Sequence, residues 1–201
     1  YLKKKEFTKA KDILKNFNKI NEIYYWYRIK KIAQIIAKEK DKNKSLEYIK
    51  AKFDAIEEPS LKIIYEMGNM LKSFEKYDLS IKYYTKVLTK LDPTSIIYSE
   101  VLFRRGGSYE RIGNEKKSDE DLLKSLEINP DEPHVLNYLA YSWLERNYKI
   151  DSAIKMLEKA YVQRKNDPYI IDSIGWAYYL TGDYIKAEEL IRKAVKIMPT
   201  D

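Results

Sequence analysis

Apolar residues recur every three or four positions along most of this chain, a spacing that predicts helices. Near the amino terminus, one helical stripe is formed by Phe7, Ala10, Ile13, Leu14 and Phe17. No segment longer than a few residues alternates between apolar and polar positions as a half-buried strand does. The pattern therefore predicts an all-α protein.

Small residues repeat with one spacing four times after residue 60. In each copy a first small residue is followed after 12 or 13 positions by a second, and after 7 more by a third. The four sets are Gly68/Ser80/Val87, Gly106/Ser118/Ser125, Ala140/Ala153/Ala160 and Gly175/Ala187/Ala194. Successive copies start 34 to 38 residues apart, which indicates one repeated unit of two helices.

Proline residues punctuate these units, because proline lacks the N–H that a helix interior needs and restricts the residue before it. They lie at positions 59, 93, 130, 168 and 199. We expect four units at residues 61–97, 98–132, 133–167 and 168–201. Residues 21–60 are expected to form a degenerate helical repeat. Residues 1–20 are expected to form the second helix of a truncated preceding repeat.

The last unit carries a family resemblance on six positions, Ile174, Gly175, Tyr178, Ala187, Ala194 and Pro199. Their pattern of small, aromatic and proline residues resembles the tetratricopeptide repeat. The resemblance covers residues 61–201 well and residues 1–60 loosely. It implies a right-handed α-solenoid of antiparallel helix pairs, a superhelix whose first helices line a concave side.

Residues 136–143 and 172–179 also resemble the carboxy-terminal repeats of bacterial tetratricopeptide proteins of the cell envelope. Some lipoprotein relatives in that group dock a periplasmic processing protease. The chain has no cysteine that could carry a lipid anchor. Its compartment stays open between the cytoplasm and the bacterial envelope or periplasm. Because the sequence starts with Tyr1, we expect it to be a fragment or a processed form.

The resemblance places partner contacts beside the small-residue stripe of the first helices. Aromatic rings there would supply contact area, and amides would pair with backbone groups of an extended or helical peptide. The candidates are Lys62, Tyr65, Asn69, Phe103, Arg104, Gly107, His134, Asn137, Tyr141, Tyr169, Asp172 and Trp176. Because an aromatic stripe at helical spacing is usually core, we expect about half of them to serve packing or face plain solvent.

One branch of the family grips a terminal carboxylate through Lys, Asn and Arg side chains on successive first helices. Asn69 and Arg104 match parts of that clamp. Tyr65, however, stands where the family has lysine, and the later units supply few basic residues. The sequence does not favour a carboxylate clamp.

The net charge of +7 is confined to one end of the chain. Residues 1–60 hold 16 Lys/Arg and 9 Asp/Glu, whereas residues 61–201 hold 22 of each. A neutral repeat body does not favour nucleic acid as a partner. No apolar run reaches the length of about 18 to 20 residues that spans a membrane.

No group of residues predicts catalysis, a metal or a cofactor. Gly106-Gly107-Ser108 lacks the preceding strand and following lysine of a phosphate loop, and close helix packing explains it better. Asp119-Glu120-Asp121 is expected to be a solvated face, because calcium loops space their ligands differently. His134 is expected to be a surface or groove residue. We expect a non-enzymatic scaffold.

Two alternatives remain open for the function. The chain could be an assembly segment of a larger protein, since the final helix keeps Tyr184, Ile185, Leu190 and Ile197 with nothing predicted to cover them. Self-association through exposed terminal helices would be one form of this. It could also be an adaptor that regulates a catalytic partner, such as an envelope protease.

Overall fold

A computed structural model describes Lys9, residues 22–39 and residues 41–199 of the chain. Residues 22–39 and 41–199 contain ten helices and no strand, which confirms the all-α prediction. The helices are α1 Glu22–Glu39, α2 Lys42–Asp54, α3 Leu61–Ser73, α4 Tyr77–Leu88, α5 Ile96–Arg111, α6 Glu115–Ile128, α7 Pro133–Glu145, α8 Ile150–Gln163, α9 Pro168–Leu180 and α10 Tyr184–Ile197. Apart from Lys9, the helix predicted in residues 1–20 lies outside the described residues.

The chain divides into two compact units. The amino-terminal unit comprises Tyr1–Leu91 and Arg111–Gly113, and the carboxy-terminal unit comprises Asp92–Glu110 and Asn114–Asp201. Each unit contains antiparallel helix pairs connected by short turns, as expected for a helical repeat.

The core of the amino-terminal unit is rich in aromatic rings. Trp26 of α1 is buried and meets Phe53 of α2 edge to face, with ring centroids 5.9 Å apart. Phe53 in turn meets Tyr83 of α4 edge to face at 5.3 Å. The Lys30 ammonium pairs with the Glu66 carboxylate and so ties α1 to α3. These contacts hold α1–α4 together.

The core of the carboxy-terminal unit lies among α6, α7, α8 and α9. Its buried side chains include Leu122, Leu139, Trp143, Leu157 and Ile174. Burying large apolar side chains contributes roughly 1.5–3 kcal/mol each. This core fixes α7 and α9, which carry most of the candidate contact residues.

Close helix approach explains the small-residue positions, as predicted. A Cβ atom on Gly68 would lie 2.8 Å from Cε1 of Tyr84, and one on Gly106 would lie 3.1 Å from Cγ of Leu122. Both distances are shorter than ordinary carbon contacts of about 3.5–4.0 Å. Each large side chain from the second helix of a pair fills the space that the glycine leaves.

In the turn between the two helices of a pair, the residue seven positions after the first small residue has a positive φ, in the left-handed region. Gly113 and Gly182 have φ angles of 73° and 84°, in the left-handed region that glycine adopts readily at a helix end. Asn147 occupies the same position before α8 with a φ of 52°. Lys149 also has a positive φ, 44°, and this second left-handed position accommodates the spacing of 13 residues from Ala140 to Ala153, one more than in the other repeats.

The expectation that Asp119-Glu120-Asp121 forms a solvated face is wrong for two of its three residues. The Asp121 carboxylate is buried and accepts hydrogen bonds at 2.7 Å from Nε and Nη2 of Arg105. Asp119 is half-buried and accepts one at 2.7 Å from Nη2 of Arg146. Arg105 of α5 and Arg146, the residue after α7, reach these acids, and helical periodicity within α6 alone does not reveal them.

Candidate functional site

Eight of the candidate residues lie on α5, α7 and α9 of the carboxy-terminal unit, and we call their surface the first-helix face. Gly107 of α5 is buried and belongs to the packing instead. The eight residues are Phe103, Arg104, His134, Asn137, Tyr141, Tyr169, Asp172 and Trp176. Five of them are exposed polar or aromatic residues at the surface, Arg104, His134, Tyr141, Tyr169 and Asp172.

A cavity of about 470 Å³ opens between α5 and the start of α7. Three candidates predicted from the sequence line it, Phe103, Arg104 and His134. Phe103 is half-buried and packs edge to face on Tyr138, with centroids 5.7 Å apart. Tyr138 is itself held by a hydrogen bond of 2.9 Å from its hydroxyl to Glu110. The aromatic wall of the cavity is therefore fixed in place.

Charged groups rim the same cavity. The Arg104 guanidinium lies 5.6 Å from the centroid of the Phe103 ring, a cation–π arrangement. Glu100 and Glu132 contribute carboxylates, and Glu132 precedes Pro133 at the start of α7. The cavity thus combines an apolar floor with groups that can pair with polar atoms of a ligand.

Tyr141 of α7 lies within electrostatic reach of Asp172 of α9. Burial raises the pKa of its phenol above the ordinary value of 10.0, and the nearby carboxylates of Glu145 and Asp172 raise it further. Those carboxylates favour the neutral phenol because its anion would be repelled by them. Tyr141 is still 40% exposed, so an exposed ring lies beside two acids.

Two polar atoms on this face are buried without a hydrogen-bond partner in the described part of the chain. They are Oδ1 of Asn137 and Nε1 of Trp176. An unpaired buried polar atom costs roughly 1–3 kcal/mol, and one atom here is an acceptor while the other is a donor. The ring of Trp176 also stacks on Tyr179, with centroids 5.3 Å apart and planes at 15°.

The three candidates in the amino-terminal unit have different environments on α3. Lys62 is exposed, and Tyr65 is half-buried with its ring 6.0 Å from that of Tyr84. The side-chain oxygen of Asn69 accepts a hydrogen bond of 2.8 Å from the Tyr84 hydroxyl. Asn69 therefore helps to anchor Tyr84 of α4.

Sequence reasoning missed several residues near the first-helix face. Ile96 lines the cavity and is 60% exposed, and Glu145 faces Tyr141. Tyr179 stacks on Trp176. The pair Ile96-Ile97 at the first turn of α5 was a usable signal, because adjacent apolar residues cannot both face one side of a helix.

A second cavity of about 540 Å³ lies between α6 and the turn from α7 to α8. Trp143, Tyr148 and Lys149 line it, and the Lys149 ammonium lies 4.8 Å and 5.0 Å from the two ring centroids. Arg146 is held there by Asp119 and Glu115. This cavity contains none of the predicted contact residues.

Residues 22–39 and 41–199 contain no cluster of three or more His, Cys, Asp or Glu side chains that could hold a metal ion. Within the same ranges, every helix is too short or too polar to span a bilayer.

The comparisons with known proteins agree with this architecture. Two models of the tetratricopeptide repeat family match the chain, one at residues 61–93 and 99–132 and the other at residues 168–201. A curated TPR repeat-containing protein of Pseudomonas aeruginosa is 29% identical over 99 residues, or 49% of this chain. The match spans 17% of that relative's length.

Solved structures show the same fold at low sequence identity. BtubC from P. vanneervenii has a TM-score of 0.70 at 15% identity, with 95% of this chain and 87% of that chain covered. MamA from Desulfovibrio magneticus has a TM-score of 0.63 at 19% identity, covering 88% of this chain and 96% of that chain. YrrB, described as a TPR protein with an unusual peptide-binding site, has a TM-score of 0.57 at 17% identity, covering 97% and 93%.

The helix pairs, the repeated small residues and the family matches together define the class of this protein. It belongs to the tetratricopeptide repeat proteins, whose solenoids serve as interaction scaffolds.

Proposed function

We propose that this chain is a non-enzymatic scaffold whose first-helix face binds an extended segment of a partner protein. The observation that carries the proposal is the cavity between α5 and α7, which is lined by Phe103, Arg104 and His134. Its volume of about 470 Å³ is within the range of roughly 300–1,000 Å³ typical of ligand pockets. One large side chain of a peptide fits there.

The rest of the face supplies what a peptide backbone needs. The unpaired oxygen of Asn137 is an acceptor for a backbone N–H, and the unpaired N–H of Trp176 is a donor for a backbone carbonyl. Both atoms are buried, so binding requires small side-chain rotations there. A peptide that pairs with them would offset the cost of burying them unpaired.

The two ends of the face differ in character. The α5 end has the cavity with its apolar lining and a mixed rim of Arg104, Glu100 and Glu132, whereas Glu145 and Asp172 lie beside Tyr141 at the α7–α9 end. A peptide with a basic residue near Tyr141 would meet two carboxylates and an aromatic ring, which are favourable partners for a cation. We therefore expect ligands to carry Lys or Arg at one end and an apolar side chain at the other.

The test begins with selection of binders from a displayed library of random linear peptides on the purified chain. The selected peptide is then titrated by fluorescence anisotropy against Phe103→Ala and Tyr141→Ala variants. Each truncation is expected to weaken binding about tenfold, as for aromatic residues at interface hot spots. Circular dichroism checks that both variants keep their helical content.

Tyr148→Ala is the matched control. Tyr148 is 44% exposed, close to the 40% of Tyr141, but it lines the second cavity. Its truncation is expected to leave the peptide affinity unchanged. If Tyr148→Ala weakens binding as much as Tyr141→Ala does, the ligand does not use the first-helix face and the proposal is wrong.

Lys62 and Tyr65 are proposed as further contacts on α3 of the amino-terminal unit. Asn69 is a weaker candidate because it already pairs with Tyr84. An adaptor that regulates a catalytic partner would use the same face.

A further inference from the structure

The outer surface of α10 carries a narrow stripe of four exposed residues, which we call the α10 stripe. It consists of Ile185, Glu188, Arg192 and Val195. Their spacings of three, four and three residues put all four on one side of the helix. The same spacing forms the seam between paired helices in coiled coils.

Ile185 has no role in packing its own repeat. Its side chain is 85% exposed, and it stands two positions before the second small residue of its unit. The other three repeats have a charged residue at that position: Asp78, Lys116 and Asp151. An isoleucine at a position where the other repeats carry a charge indicates a contact outside the repeat.

The charged centre of the stripe is an ion pair within one helix. The Arg192 guanidinium lies 2.7 Å from the Glu188 carboxylate, and the two side chains are 78% and 64% exposed. Such a pair contributes little by itself at this exposure. Arginine has five donors, so each guanidinium can engage a second carboxylate as well.

We propose that α10 packs antiparallel against α10 of a second copy of this chain, around a two-fold axis level with Leu190. The stripe is self-complementary in that arrangement, because Ile185 lies opposite the second copy's Val195. Glu188 likewise lies opposite its Arg192, so two carboxylates and two guanidiniums alternate at the centre. An isologous contact of this kind is the commonest way in which identical chains pair.

Charge selects the antiparallel arrangement over the parallel one. In a parallel pair in register, Glu188 would face Glu188 and Arg192 would face Arg192, which places like charges together. Apolar residues lie at both ends of the stripe and the charges lie at its centre, so only antiparallel pairing satisfies all four positions. A 14-residue helix is only about 21 Å long, so the contact is small and the dimer is weak.

The experiment is sedimentation equilibrium of the full chain over a concentration series. Glu188→Arg and Arg192→Glu are measured separately, as a 1:1 mixture and combined in one chain. Each single reversal is expected to weaken dimerisation about tenfold, because repulsion replaces attraction at two contacts. The mixture is expected to form a heterodimer, since both interchain contacts are again between opposite charges. The combined variant is expected to dimerise like the wild type.

Lys124→Glu is the matched control, because it reverses an exposed charge of an intrahelical pair on α6. It is expected to leave dimerisation unchanged. Circular dichroism confirms that each variant is folded. The proposal is overturned if the wild type stays monomeric throughout the series, if the single reversals dimerise normally, or if the mixture fails to pair. The first-helix face takes no part in this contact, so peptide binding is tested independently.

Discussion

Gly175 has room for a hydrogen atom only, because its helix meets α10 at that point. A Cβ atom there would lie 2.9 Å from Cγ1 of Ile191 and 3.3 Å from Cβ of Leu190. Leu190 is half-buried and packs on the core, so the expectation that it is left uncovered is wrong. Tyr184, Ile185 and Ile197 are exposed, as expected.

Gly175→Ala is expected to lower the free energy of unfolding by about 1 kcal/mol. Overpacking costs roughly 1–3 kcal/mol, and the better helix propensity of alanine returns about 1 kcal/mol. Denaturant unfolding of Gly175→Ala, Ile191→Ala and the double variant measures the energetic coupling between positions 175 and 191. The contact would be disproved if the two effects simply added.

The pKa of the Tyr141 phenol is a probe of the geometry of the first-helix face. Its pKa is raised by burial and by the carboxylates of Glu145 and Asp172, so Asp172→Asn is expected to lower that pKa. It should stay above the ordinary value because burial is the larger cause. The neutral phenol contributes stability below pH 10, and this contribution is lost as the pH rises through the folded pKa.

An NMR titration of tyrosine ring carbons measures this pKa directly. Asp131→Asn is the control, since Asp131 pairs with Lys159 away from Tyr141. Asn137→Asp would be unsuitable because it adds a charge on the same face. An unchanged Tyr141 pKa in Asp172→Asn would show that the carboxylate does not face the phenol.

Single-residue roles could be predicted from the sequence where they follow from helical spacing. Gly68 and Gly175 belong to the small-residue pattern that repeats along the sequence, and the structure places a side chain of the second helix against each. The pairing of Asn69 with Tyr84 could not be predicted in the same way. It depends on the crossing of two helices and on side-chain rotamers, which a one-dimensional pattern does not contain.

At the scale of helices, α5 and α6 are joined by the pair of Arg105 and Asp121. The Asp121 side chain is 9% exposed and that of Arg105 is 18% exposed. Removing one member of a buried pair leaves the other charge without compensation, which costs roughly 3–5 kcal/mol.

Asp121→Ala is therefore expected to lower the free energy of unfolding by about 3 kcal/mol. Glu127→Ala is the control, because it breaks the exposed pair with Lys124 and should cost much less. Chemical denaturation of both variants measures the difference. If both variants lose a similarly small part of the free energy of unfolding, the Arg105 guanidinium is hydrated when Asp121 is removed.

The positions of helices can be predicted from the sequence more readily than the contacts between helices. Proline, glycine and the apolar period indicate where α7, α9 and α10 begin and end. The sequence could not indicate that Asp121 faces Arg105 of α5 or that Asp119 faces Arg146, the residue after α7. These partners lie 16 and 27 positions away, respectively, and only the packing of the helix pairs decides which charges meet.

For the whole chain, stability is expected to vary along the repeats, since each unit packs mainly on its neighbours. Leu139 and Ala140 of α7 are fully buried, whereas the outer side of α10 is exposed. We expect backbone amides of α10 to exchange with deuterium at least about tenfold faster than those of α7.

Hydrogen exchange with mass spectrometry at low protein concentration measures this gradient. If protection of α10 equals that of α7, then unfolding is cooperative across both helices. Protection of α10 that rises with protein concentration is the result expected from pairing through the α10 stripe.

The central claim is that the first-helix face binds an extended peptide, and chemical-shift mapping with the selected peptide tests it most directly. The account predicts that backbone amide shifts cluster on α5, α7 and α9, at Phe103, His134, Tyr141 and Trp176. Residues of the second cavity, such as Tyr148 and Lys149, should not shift. Shifts confined to α6 and α8, or spread evenly over all helices, would contradict the account.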